Sequence, residues 1–328
     1  MKVFITGATG YVGAYLVKRL ENEGHIVHAL VRSIDKASFI KSDNILLFKG
    51  DLLNKDSIRI AMNNCHKVFH LAACTSIWEK DPSQYFKINV TGTQNILDIA
   101  KELNIEKTVI TSTGGVFGPS INDTITEESP REIDFFNEYE SSKSISESAA
   151  KSYVLKYNMN IVLLNPTRIY GPYLFGESSS ITLMIEKYIQ GKWKLIPGDG
   201  KQIGNYVYIE DVVEGLIKAM EVGMAGENYI LGGFNHNYNE LFNIIKEVSG
   251  KNYKLYGAPM WLQLFYGNLQ LLKAKLLGKN PAITPKWIKR GNYNWNVSSE
   301  KSQNKLAIEY TTLKSGIIKT VEWVKNKE

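Results

Sequence analysis

The sequence has little of what stabilises secreted, metal-binding or membrane-spanning proteins. Its 328 residues include two cysteines, Cys65 and Cys74, and no Cys/His spacing typical of a metal site, so no metal is expected. Two thiols cannot cross-link a fold of this size, which makes a reducing cytoplasm the expected location. No apolar run approaches the roughly 18 residues that a membrane span needs. No basic n-region followed by an apolar h-region precedes the first strand-like segment, so no signal peptide is expected.

Arginine is also scarce. The chain has 39 basic and 33 acidic residues, giving a formal charge of +6, but only six of the basic residues are arginine. Nucleic-acid sites favour clustered arginine, because a guanidinium group binds phosphates and bases bidentately. The lysines are scattered along the chain and are interpreted as a solvated surface, so no nucleic-acid partner is expected. Hydrophobic residues make up 44% and charged residues 22%, which indicates a globular rather than a disordered chain.

Short apolar segments alternate with helical patterns over the first two-thirds of the chain. Six strand-like segments end at or before residue 164, and the longest helical patterns between them cover residues 85–103 and 139–157. This alternation predicts a parallel sheet with helices on both faces. The strands are apolar throughout, as expected when both of their faces are buried. The predicted fold class is therefore α/β, with a doubly wound parallel sheet.

A glycine-rich loop directly follows the first strand. Its three glycines have GxxGxxG spacing and precede a helical pattern, whereas the standard dinucleotide fingerprint is GxGxxG. Glycines at a strand–loop–helix junction allow a tight turn and close approach of the backbone to a pyrophosphate, and the N–H groups of the helix bind the phosphates. The position of the loop predicts a dinucleotide site that includes Gly7, Thr9, Gly10, Tyr11, Val12 and Gly13.

The loop sequence GATGYVG at residues 7–13 resembles the signature of the extended short-chain dehydrogenase/reductase superfamily. Later segments agree with that superfamily in order: KGDL at 49–52, FHLAA at 69–73, NPTRIYGP at 165–172 and NYVYIEDV at 205–212. The third segment is similar to the RPxxVYGP motif, with Asn165 in the usual arginine position. The resemblance covers residues 1–235 well and the tail only loosely. It implies a Rossmann-type fold, a nicotinamide cofactor, and cofactor contacts from Asp51, Leu52, Leu71, Ala72, Ala73, Pro166 and Ile169.

The alternating pattern ends after Asn165, where glycines and prolines interrupt the chain. No linker or repeat separates the two regions, so a second domain is expected to be integral with the first. Residues 1–168, with about 204–232, are predicted to form the NAD(P)-binding Rossmann domain. Residues 169–203 and 233–328 are predicted to form a smaller substrate-binding domain. The resemblance also implies a possible homodimer.

The end of the second strand predicts which nicotinamide cofactor is bound. NAD-binding domains usually carry a carboxylate there, which bonds the ribose hydroxyls. Here the strand ends in Val31-Arg32-Ser33. Arg32 can bind a 2′-phosphate through a charge-assisted fork, and Lys36 can assist it. A surface role for Arg32 is the alternative. NADP(H) is therefore the preferred cofactor, with NAD(H) possible.

Carbonyl reduction by hydride transfer needs a proton donor, and a Tyr/Lys pair at i and i+4 can supply one. On a helix the two side chains share a face, and the lysine charge is expected to lower the tyrosine pKa. Position must decide among candidates, because this spacing occurs three times, at Tyr139–Lys143, Tyr188–Lys192 and Tyr310–Lys314. Only the first pair follows the fifth strand of the nucleotide-binding half. Tyr139 is therefore predicted to be the general acid/base, with Lys143 as pKa modulator and ribose ligand.

Polar residues near the strand ends complete the predicted site. The superfamily pattern S/T-x-x-V-Y/F-G assigns orientation of the substrate oxygen to Thr113. The neighbouring Ser112 is the second candidate for this role, and a strand-end cap is the structural alternative. Asn89 is interpreted as a structural relay or as a surface residue of a helix. His70, a single histidine at an apolar strand end, is expected to be packed rather than catalytic.

Three function classes follow from the resemblance. Sugar dehydratases carry an acidic pair after the catalytic threonine, where this chain has Gly114 and Gly115. Nucleotide-sugar enzymes usually hold the diphosphate with an arginine at the position of Gly204. The segment PGDGKQ at 197–202 resembles hydroxysteroid dehydrogenases and dihydroflavonol reductases. An NADP(H) reductase or dehydrogenase of a small, at least partly apolar carbonyl/alcohol pair is favoured. A nucleotide-sugar epimerase is the runner-up, and an inactive dinucleotide-sensing regulator is the third class.

The tail contains an apolar helical pattern at Met260–Leu277. It is expected to form a core or pocket wall. The alternatives are a mouth for an apolar substrate and an interfacial helix that places nearby lysines at lipid headgroups.

Overall fold

The computed structural model describes residues 1–172 and 179–327. Residues 173–178 and 328, which the sequence assigns to the second domain, lie outside the described residues. The β-strands are β1 (Lys2–Thr6), β2 (Ile26–Val31), β3 (Ile45–Lys49), β4 (Lys67–His70), β5 (Lys107–Thr111), β6 (Ile161–Pro166), β7 (Arg168–Tyr170), β8 (Leu195–Pro197), β9 (Ile203–Tyr208), β10 (Asn228–Leu231), β11 (Phe234–Asn237) and β12 (Tyr256–Ala258).

The helices connect and flank these strands. They are α1 (Tyr11–Asn22), α2 (Lys55–Met62), α3 (Ser83–Phe86), α4 (Gly92–Glu102), α5 (Glu138–Tyr157), α6 (Ser180–Ile189), α7 (Ile209–Val222), α8 (Tyr238–Ser249), α9 (Met260–Leu277), α10 (Pro285–Gly291), α11 (Glu300–Leu306) and α12 (Leu313–Lys327). A π-helical segment, Lys87–Thr91, joins α3 to α4.

The central sheet confirms the predicted fold class. Seven parallel strands lie in the order β10-β6-β5-β4-β1-β2-β3. Helices α1, α2, α4, α5 and α7 bury apolar faces against this sheet or against one another. The order reverses between β1 and β4, and such a switch point opens a crevice at the carboxyl ends of the strands.

Two smaller sheets lie outside the central one. β9 pairs with β7 and with β11, and β8 pairs with β12. The sequence grouped residues 204–232 with the nucleotide-binding domain. Within that range β10 joins the central sheet and α7 packs on β5 and β6, whereas β9 belongs to the three-stranded sheet. Strand β9 is as apolar as the central strands, so its composition does not reveal which sheet it joins.

Helix α9 differs from the core or pocket wall that its composition predicts. Its buried residues are Gly267 and Ala274, while most of its large apolar side chains are exposed. Small residues bring α9 close to α10, because a Cβ atom at Gly267 would lie 2.6 Å from the Ile288 side chain. The wide apolar face of α9 therefore points to solvent.

Candidate active site

The predicted cofactor positions converge on one edge of the central sheet. In a parallel sheet all carboxyl ends lie on the same side, so residues that follow different strands become neighbours. The glycine loop follows β1, Arg32 follows β2, Asp51 follows β3 and the segment 71–73 follows β4, while Pro166 is the last residue of β6. Sequence and topology thus bring these positions to the crevice between β1 and β4.

The glycine loop is packed too closely for side chains at two positions. Gly7 has φ +75°, and a Cβ there would lie 2.7 Å from the Ala72 nitrogen. A Cβ at Gly13 would lie 2.0 Å from the Gly7 oxygen. Gly10 is exposed and caps α1 without a side-chain hydrogen bond. The first-turn N–H groups of α1 therefore remain available to an anion, which fits a dinucleotide phosphate.

The remaining loop residues contribute in different ways. Thr9 is exposed, while the Tyr11 ring is buried beside Tyr15. Burial raises the pKa of Tyr11, so its phenol stays neutral. Tyr11 and Val12 can therefore contact a phosphate only through their backbone N–H groups in the first turn of α1.

Residues at the ends of β2 and β3 differ in their partners. Arg32 and Lys36 are exposed, and within residues 1–172 and 179–327 neither forms an ion pair. Both cations are therefore free to meet a phosphate. The Asp51 carboxylate accepts a hydrogen bond from the Leu53 nitrogen at 2.8 Å, which shapes the turn. Leu52 is buried against Gly92.

His70 belongs to the framework beneath the crevice. Its ring nitrogens contact the hydroxyls of Thr6 at 2.7 Å and Thr93 at 2.9 Å. Burial, and then the charge of Lys143, lower the His70 pKa to about 3, so the ring is neutral. The Thr6 hydroxyl also accepts a hydrogen bond from the Ala72 nitrogen at 3.2 Å. His70 thereby fixes the ends of β1 and β4 relative to each other.

The predicted catalytic tyrosine lies in the first turn of α5. Asn137 caps this helix by accepting a hydrogen bond from the Glu140 nitrogen at 3.0 Å, which fixes the start of the helix. The Tyr139 ring stacks on Trp287 of α10, with 6.4 Å between centroids and 30° between planes. Thr113 follows β5 and caps the next short helical turn, where its hydroxyl accepts from the Gly115 nitrogen at 3.2 Å. The cap that Thr113 forms is therefore compatible with the substrate-orienting role predicted for this residue.

Thr113 and Tyr139 lie together, but the lowered pKa expected for Tyr139 is not found. Burial raises the pKa of Tyr139 to about 12, partly offset by a hydrogen bond from Thr113 and by the charge of Arg290. The sequence instead predicts a pKa lowered by Lys143. The correction has a physical cause, because the desolvation of a buried phenolate outweighs the nearby positive charge.

Lys143 lies one turn after Tyr139 on the same helix face and is buried. Its Nζ donates a hydrogen bond to the Thr111 carbonyl at 2.7 Å, at the end of β5. Burial lowers the pKa of Lys143 to about 8, and Glu147 opposes this shift. The ammonium is thus held at the carboxyl edge by one neutral acceptor, with donors left for a ligand.

An amide–carboxylate network supports this edge from below. Asn165 donates to the Thr113 carbonyl at 3.1 Å and to Glu147 at 2.6 Å. Asn228 donates to the other oxygen of Glu147 at 2.9 Å. The asparagine that replaces the usual arginine therefore positions the backbone of Thr113. The neighbouring Ser112 hydroxyl is buried and has no hydrogen-bond partner among the described residues.

Asn89 is a buried relay, not a surface residue. It lies in the π-helical segment, where its amide oxygen accepts from the Cys74 nitrogen at 2.7 Å. Its amide nitrogen donates to the Ser142 hydroxyl at 2.9 Å and to the Cys74 carbonyl at 3.2 Å. Asn89 therefore ties the loop after β4 to α5 next to Tyr139.

The two other Tyr/Lys pairs are placed elsewhere. The Tyr188 hydroxyl donates to backbone carbonyls of the loop after α8, and the Lys192 ammonium contacts Gln190 at the surface. The Tyr310 hydroxyl contacts Ser302 at 2.8 Å, and Lys314 pairs with Glu247 at the surface. Tyr310 also lies near the central sheet, since its hydroxyl is 3.5 Å from the Ile230 carbonyl oxygen of β10, but the Lys314 ammonium is held at the surface by Glu247.

Sequence reasoning missed an ion triad beside Tyr139. Glu140 is completely buried between two arginines, with Arg290 Nε at 2.6 Å and Arg131 Nη2 at 3.0 Å. The Arg290 guanidinium lies 4.0 Å from the centre of the Trp295 ring. The triad joins the start of α5 to the tail, and Arg290 brings positive charge to the tyrosine. Its partners are far apart in the chain, so no local pattern reveals it.

A second missed arginine fills the space over Gly204. A Cβ at Gly204 would lie 2.4 Å from Arg168 Nη1, because β7 and β9 are paired in parallel. Arg168 donates to the Tyr238 hydroxyl at 3.2 Å and lies 5.7 Å from the centre of the Tyr206 ring. No carboxylate pairs with it among the described residues. The guanidinium absent at position 204 is thus supplied from the neighbouring strand.

Comparison with known proteins identifies the family. The family model described as "NAD dependent epimerase/dehydratase family" matches residues 3–232. The chain belongs to this family. Its members are NAD(P)-dependent oxidoreductases, epimerases and dehydratases that act on small substrates, so the chain is assigned to a family of enzymes. The match includes the predicted loop, strand ends and Tyr/Lys pair.

Similar proteins include more than one activity. The chain is 28% identical over 330 residues to a putative dihydroflavonol 4-reductase of Synechocystis sp., covering 98% of this chain and 94% of that protein. It is 27% identical to sterol demethylase protein B of Methylococcus capsulatus, covering 100% and 99%. It is 28% identical to a putative UDP-glucose 4-epimerase of Methanocaldococcus jannaschii, covering 88% and 99%.

Solved structures share the whole fold. The crystal structure of gox2253 matches with a TM-score of 0.83 and 26% identity, covering 99% of this chain and 98% of that one. The UDP-glucose 4-epimerase of Thermotoga maritima, solved with UDP-glucose, matches with a TM-score of 0.82 and 22% identity, covering 100% and 99%. The fold of this second structure therefore matches the chain over its full length.

Within residues 1–172 and 179–327, no group of His, Cys, Asp and Glu could hold a metal ion. Among the same residues, no helix is both long enough and apolar enough to cross a membrane.

Proposed function

We propose that this chain is an NADP(H)-dependent oxidoreductase that transfers a hydride to or from the carbonyl/alcohol group of a small, at least partly apolar substrate. The observation that carries the proposal is the placement of Tyr139 beside Thr113, with Lys143 one turn further along α5. All three lie at the carboxyl edge of the sheet that holds the glycine loop.

The roles of the three residues follow from their chemistry. A nicotinamide cofactor bound at the crevice supplies or accepts the hydride. Thr113 donates a hydrogen bond to the substrate oxygen and orients it toward Tyr139. The Tyr139 phenol gives its proton to the developing alkoxide, or takes one in the reverse direction. The stack against Trp287 limits rotation of the ring and excludes water from its face.

Lys143 links proton transfer to cofactor binding in this proposal. Its ammonium retains donors beyond the one used by Thr111, and these can bond ribose hydroxyls. The preference for NADP(H) rests on Arg32 and Lys36, two cations after β2 that form no ion pair with any described residue, at a position where a carboxylate would favour NAD(H).

The Tyr139→Phe variant tests the reaction. It keeps the ring and removes the hydroxyl, so turnover should fall about 100-fold or more, the scale of general acid catalysis. Cofactor affinity should remain nearly unchanged. Tyr310→Phe is the matched control, because Tyr310 also precedes a lysine by four residues but lies in the tail. Assays of both variants with NADPH and a panel of aldehydes, ketones and hydroxysteroids decide the matter. Equal turnover of Tyr139→Phe and the wild type would remove Tyr139 from the mechanism.

Arg168 supports a second candidate, a nucleotide-sugar epimerase. Epimerisation uses the same Tyr, Lys and hydride, and differs in how the substrate is held. A guanidinium over Gly204, without a carboxylate partner among the described residues, is a suitable ligand for a diphosphate. One similar protein is a putative UDP-glucose 4-epimerase.

The way in which the substrate is bound distinguishes the reductase from the epimerase. If the chain is an epimerase, the wild type converts UDP-glucose to UDP-galactose, and Arg168→Gln raises KM at least tenfold, the scale of one lost charge-assisted hydrogen bond. If it is a reductase of neutral carbonyls, UDP-sugars are not converted and Arg168→Gln leaves the KM for those carbonyls within about twofold. Initial rates with both substrate classes give the answer.

Three broader features belong to the same proposal. We propose that residues 1–168 with about 204–232 bind the cofactor, and that residues 169–203 and 233–328 bind the substrate. A homodimer is proposed from the resemblance alone. A cytoplasmic location is proposed because Cys65 and Cys74 are both free thiols.

A further inference from the structure

The exposed face of α9 is a continuous apolar stripe. Side chains at i, i+4, i+8, i+11 and i+15 lie on one face of a helix. Here those positions hold large apolar residues, exposed by 69%, 59%, 41%, 53% and 74% respectively: Trp261, Phe265, Leu269, Leu272 and Leu276. We call these five residues the α9 stripe. Isolated exposed apolar residues are ordinary, but a contiguous set of this size marks an interaction surface.

The opposite face of α9 holds the helix on the protein. Gly267 and Ala274 are buried there, and the Gly267 Cα packs closely against Ile288 of α10. The helix is therefore fixed with its stripe outward. It has 18 residues and is about 27 Å long. Tyr266 and Leu277, both exposed, widen the stripe on one side.

The charged residues on α9 and directly after it are all basic. Residues 248–299 contain eight basic residues and no aspartate or glutamate. The whole chain has a net charge of +6, so acidic residues exceed basic ones by two outside this segment. Glu138 and Glu140 pair with Lys286 and Arg290 of this segment, whereas the lysines at the end of α9 form no ion pair among the described residues. Lys273 and Lys275 lie on α9 itself, and Lys279 directly follows it.

We propose that the α9 stripe with its flanking lysines binds the surface of an anionic lipid bilayer. A helix with exposed aromatic and leucine side chains and adjacent lysines lies in the interface plane, with its apolar side among the acyl chains and its charges at the headgroups. Each lysine near an anionic surface strengthens binding several-fold. Trp261 at the start of the helix suits the headgroup region, where tryptophan is enriched.

A second copy of the chain fits the surface less well. Closed dimers pair the same patch from both subunits. A dimer through the α9 stripe would place Lys273 and Lys275 near their own counterparts, with no acidic residue in 248–299 to neutralise them. An anionic bilayer neutralises that charge and covers the apolar side chains at once. The binding surface is independent of the proposed reaction, since its residues are not used in hydride transfer.

Vesicle sedimentation of the full-length chain tests the proposal. Vesicles of phosphatidylcholine with about 30% phosphatidylglycerol should bind the protein, while vesicles of phosphatidylcholine alone should bind at least tenfold less. Raising the salt from 0.1 to 0.5 M should weaken binding to the anionic vesicles, because the headgroup attraction is screened.

Two sets of variants separate the contributions. Phe265→Ser/Leu272→Ser/Leu276→Ser removes apolar contact at exposed positions, so the fold should persist, and binding should fall at least tenfold. The matched control replaces three apolar residues that are 67%, 57% and 62% exposed on other surfaces: Ile60→Ser/Val222→Ser/Met224→Ser. This control should bind like the wild type. Lys273→Gln/Lys275→Gln/Lys279→Gln should lower anionic-vesicle binding on the order of 100-fold, at about fivefold for each lysine.

Three results would overturn the proposal. Failure of the wild type to sediment with anionic vesicles at 0.1 M salt would do so, as would equal loss of binding in the control triple variant. The third is a stable wild-type dimer in analytical ultracentrifugation that the Phe265/Leu272/Leu276 variant dissociates, which would assign the stripe to a second copy. None of these outcomes depends on the Tyr139→Phe result, so the two proposals can fail separately.

Discussion

Individual charged residues around the crevice have unequal partners, and these differences make the proposed roles testable. Arg131 and Arg290 share the Glu140 carboxylate, whereas Arg32 has no ion-pair partner among the described residues. An arginine bound to a buried carboxylate is structural. An unpaired arginine at a strand end is free to bind a ligand.

Arg32→Asp should reverse the cofactor preference. A carboxylate at this position repels a 2′-phosphate and can accept hydrogen bonds from ribose hydroxyls. The ratio of NADPH to NADH affinity should fall at least tenfold, measured by titrating each cofactor against protein fluorescence. Lys18→Asp, at an exposed lysine on α1, is the control. An unchanged ratio in Arg32→Asp would remove Arg32 from the cofactor site.

Lys143 should make stability depend on pH in a particular direction. Its pKa is about 8 in the folded chain, against an ordinary value of 10.5. Between these values the unfolded chain binds more protons, so the free energy of unfolding rises with pH. The cost of burying the charged lysine is largest below about pH 8. From pH 8 to 9.5 the wild type should gain about 2 kcal/mol relative to Lys143→Met. Urea unfolding followed by circular dichroism measures the free energy of unfolding at each pH. Parallel pH profiles for the two proteins would contradict the lowered pKa of Lys143.

At this scale the sequence predicted some roles and missed others for a physical reason. Tyr139, Lys143 and Thr113 are recognisable because their spacing and their position after β5 are local in the chain. Arg168 and Arg290 act through partners 38 and 150 residues away. Only folding brings such partners together.

Among the elements, α5 has the largest part in arranging the site. Its first turn carries Tyr139, its second carries Lys143, and Asn137 fixes where the helix begins. The buried Glu140 joins that first turn to Arg131 and to Arg290 of α10. The position of Tyr139 therefore depends on the tail as well as on the first half of the chain.

Glu140→Gln should be strongly destabilising. It leaves two partly buried arginines without a carboxylate, which costs about 3–5 kcal/mol for a broken buried pair. Chemical denaturation should show this loss, together with lower turnover if the start of α5 shifts. Glu102→Gln is the control, because Glu102 pairs with Arg59 at the surface, where an ion pair contributes about 0–1 kcal/mol. Similar losses in both variants would show that the triad has no special role.

Element identity was predictable where hydrophobic pattern and environment agree. Most strands of the central sheet are largely apolar and buried, so pattern and location coincide there, whereas the edge strand β3 is partly exposed. For β9 the pattern does not reveal which sheet the strand joins. For α9 the pattern predicts burial of the large apolar side chains. In the structure the helix instead packs on the protein through the face that carries the small residues Gly267 and Ala274. The large side chains then remain outside.

In the molecule as a whole, the excess of basic residues lies in one segment of the chain, residues 248–299, which also contributes Arg290 beside Tyr139. The central sheet and the glycine loop come from the first two-thirds of the chain, and the net positive charge comes from residues 248–299. The alternation of strand and helix patterns predicted the fold class correctly, and the loop and strand-end motifs predicted the family correctly. The net charge did not show where the excess of basic residues lies, because it is a sum over the whole chain.

The close packing of α9 on α10 has a consequence for how an apolar substrate enters the proposed site. Trp287, which covers the Tyr139 ring, belongs to the helix that supports α9. A chain resting on lipid by its α9 stripe would therefore hold its reaction centre one helix away from the leaflet. A poorly water-soluble alcohol or ketone dissolved in that leaflet could then reach the cofactor without crossing open water.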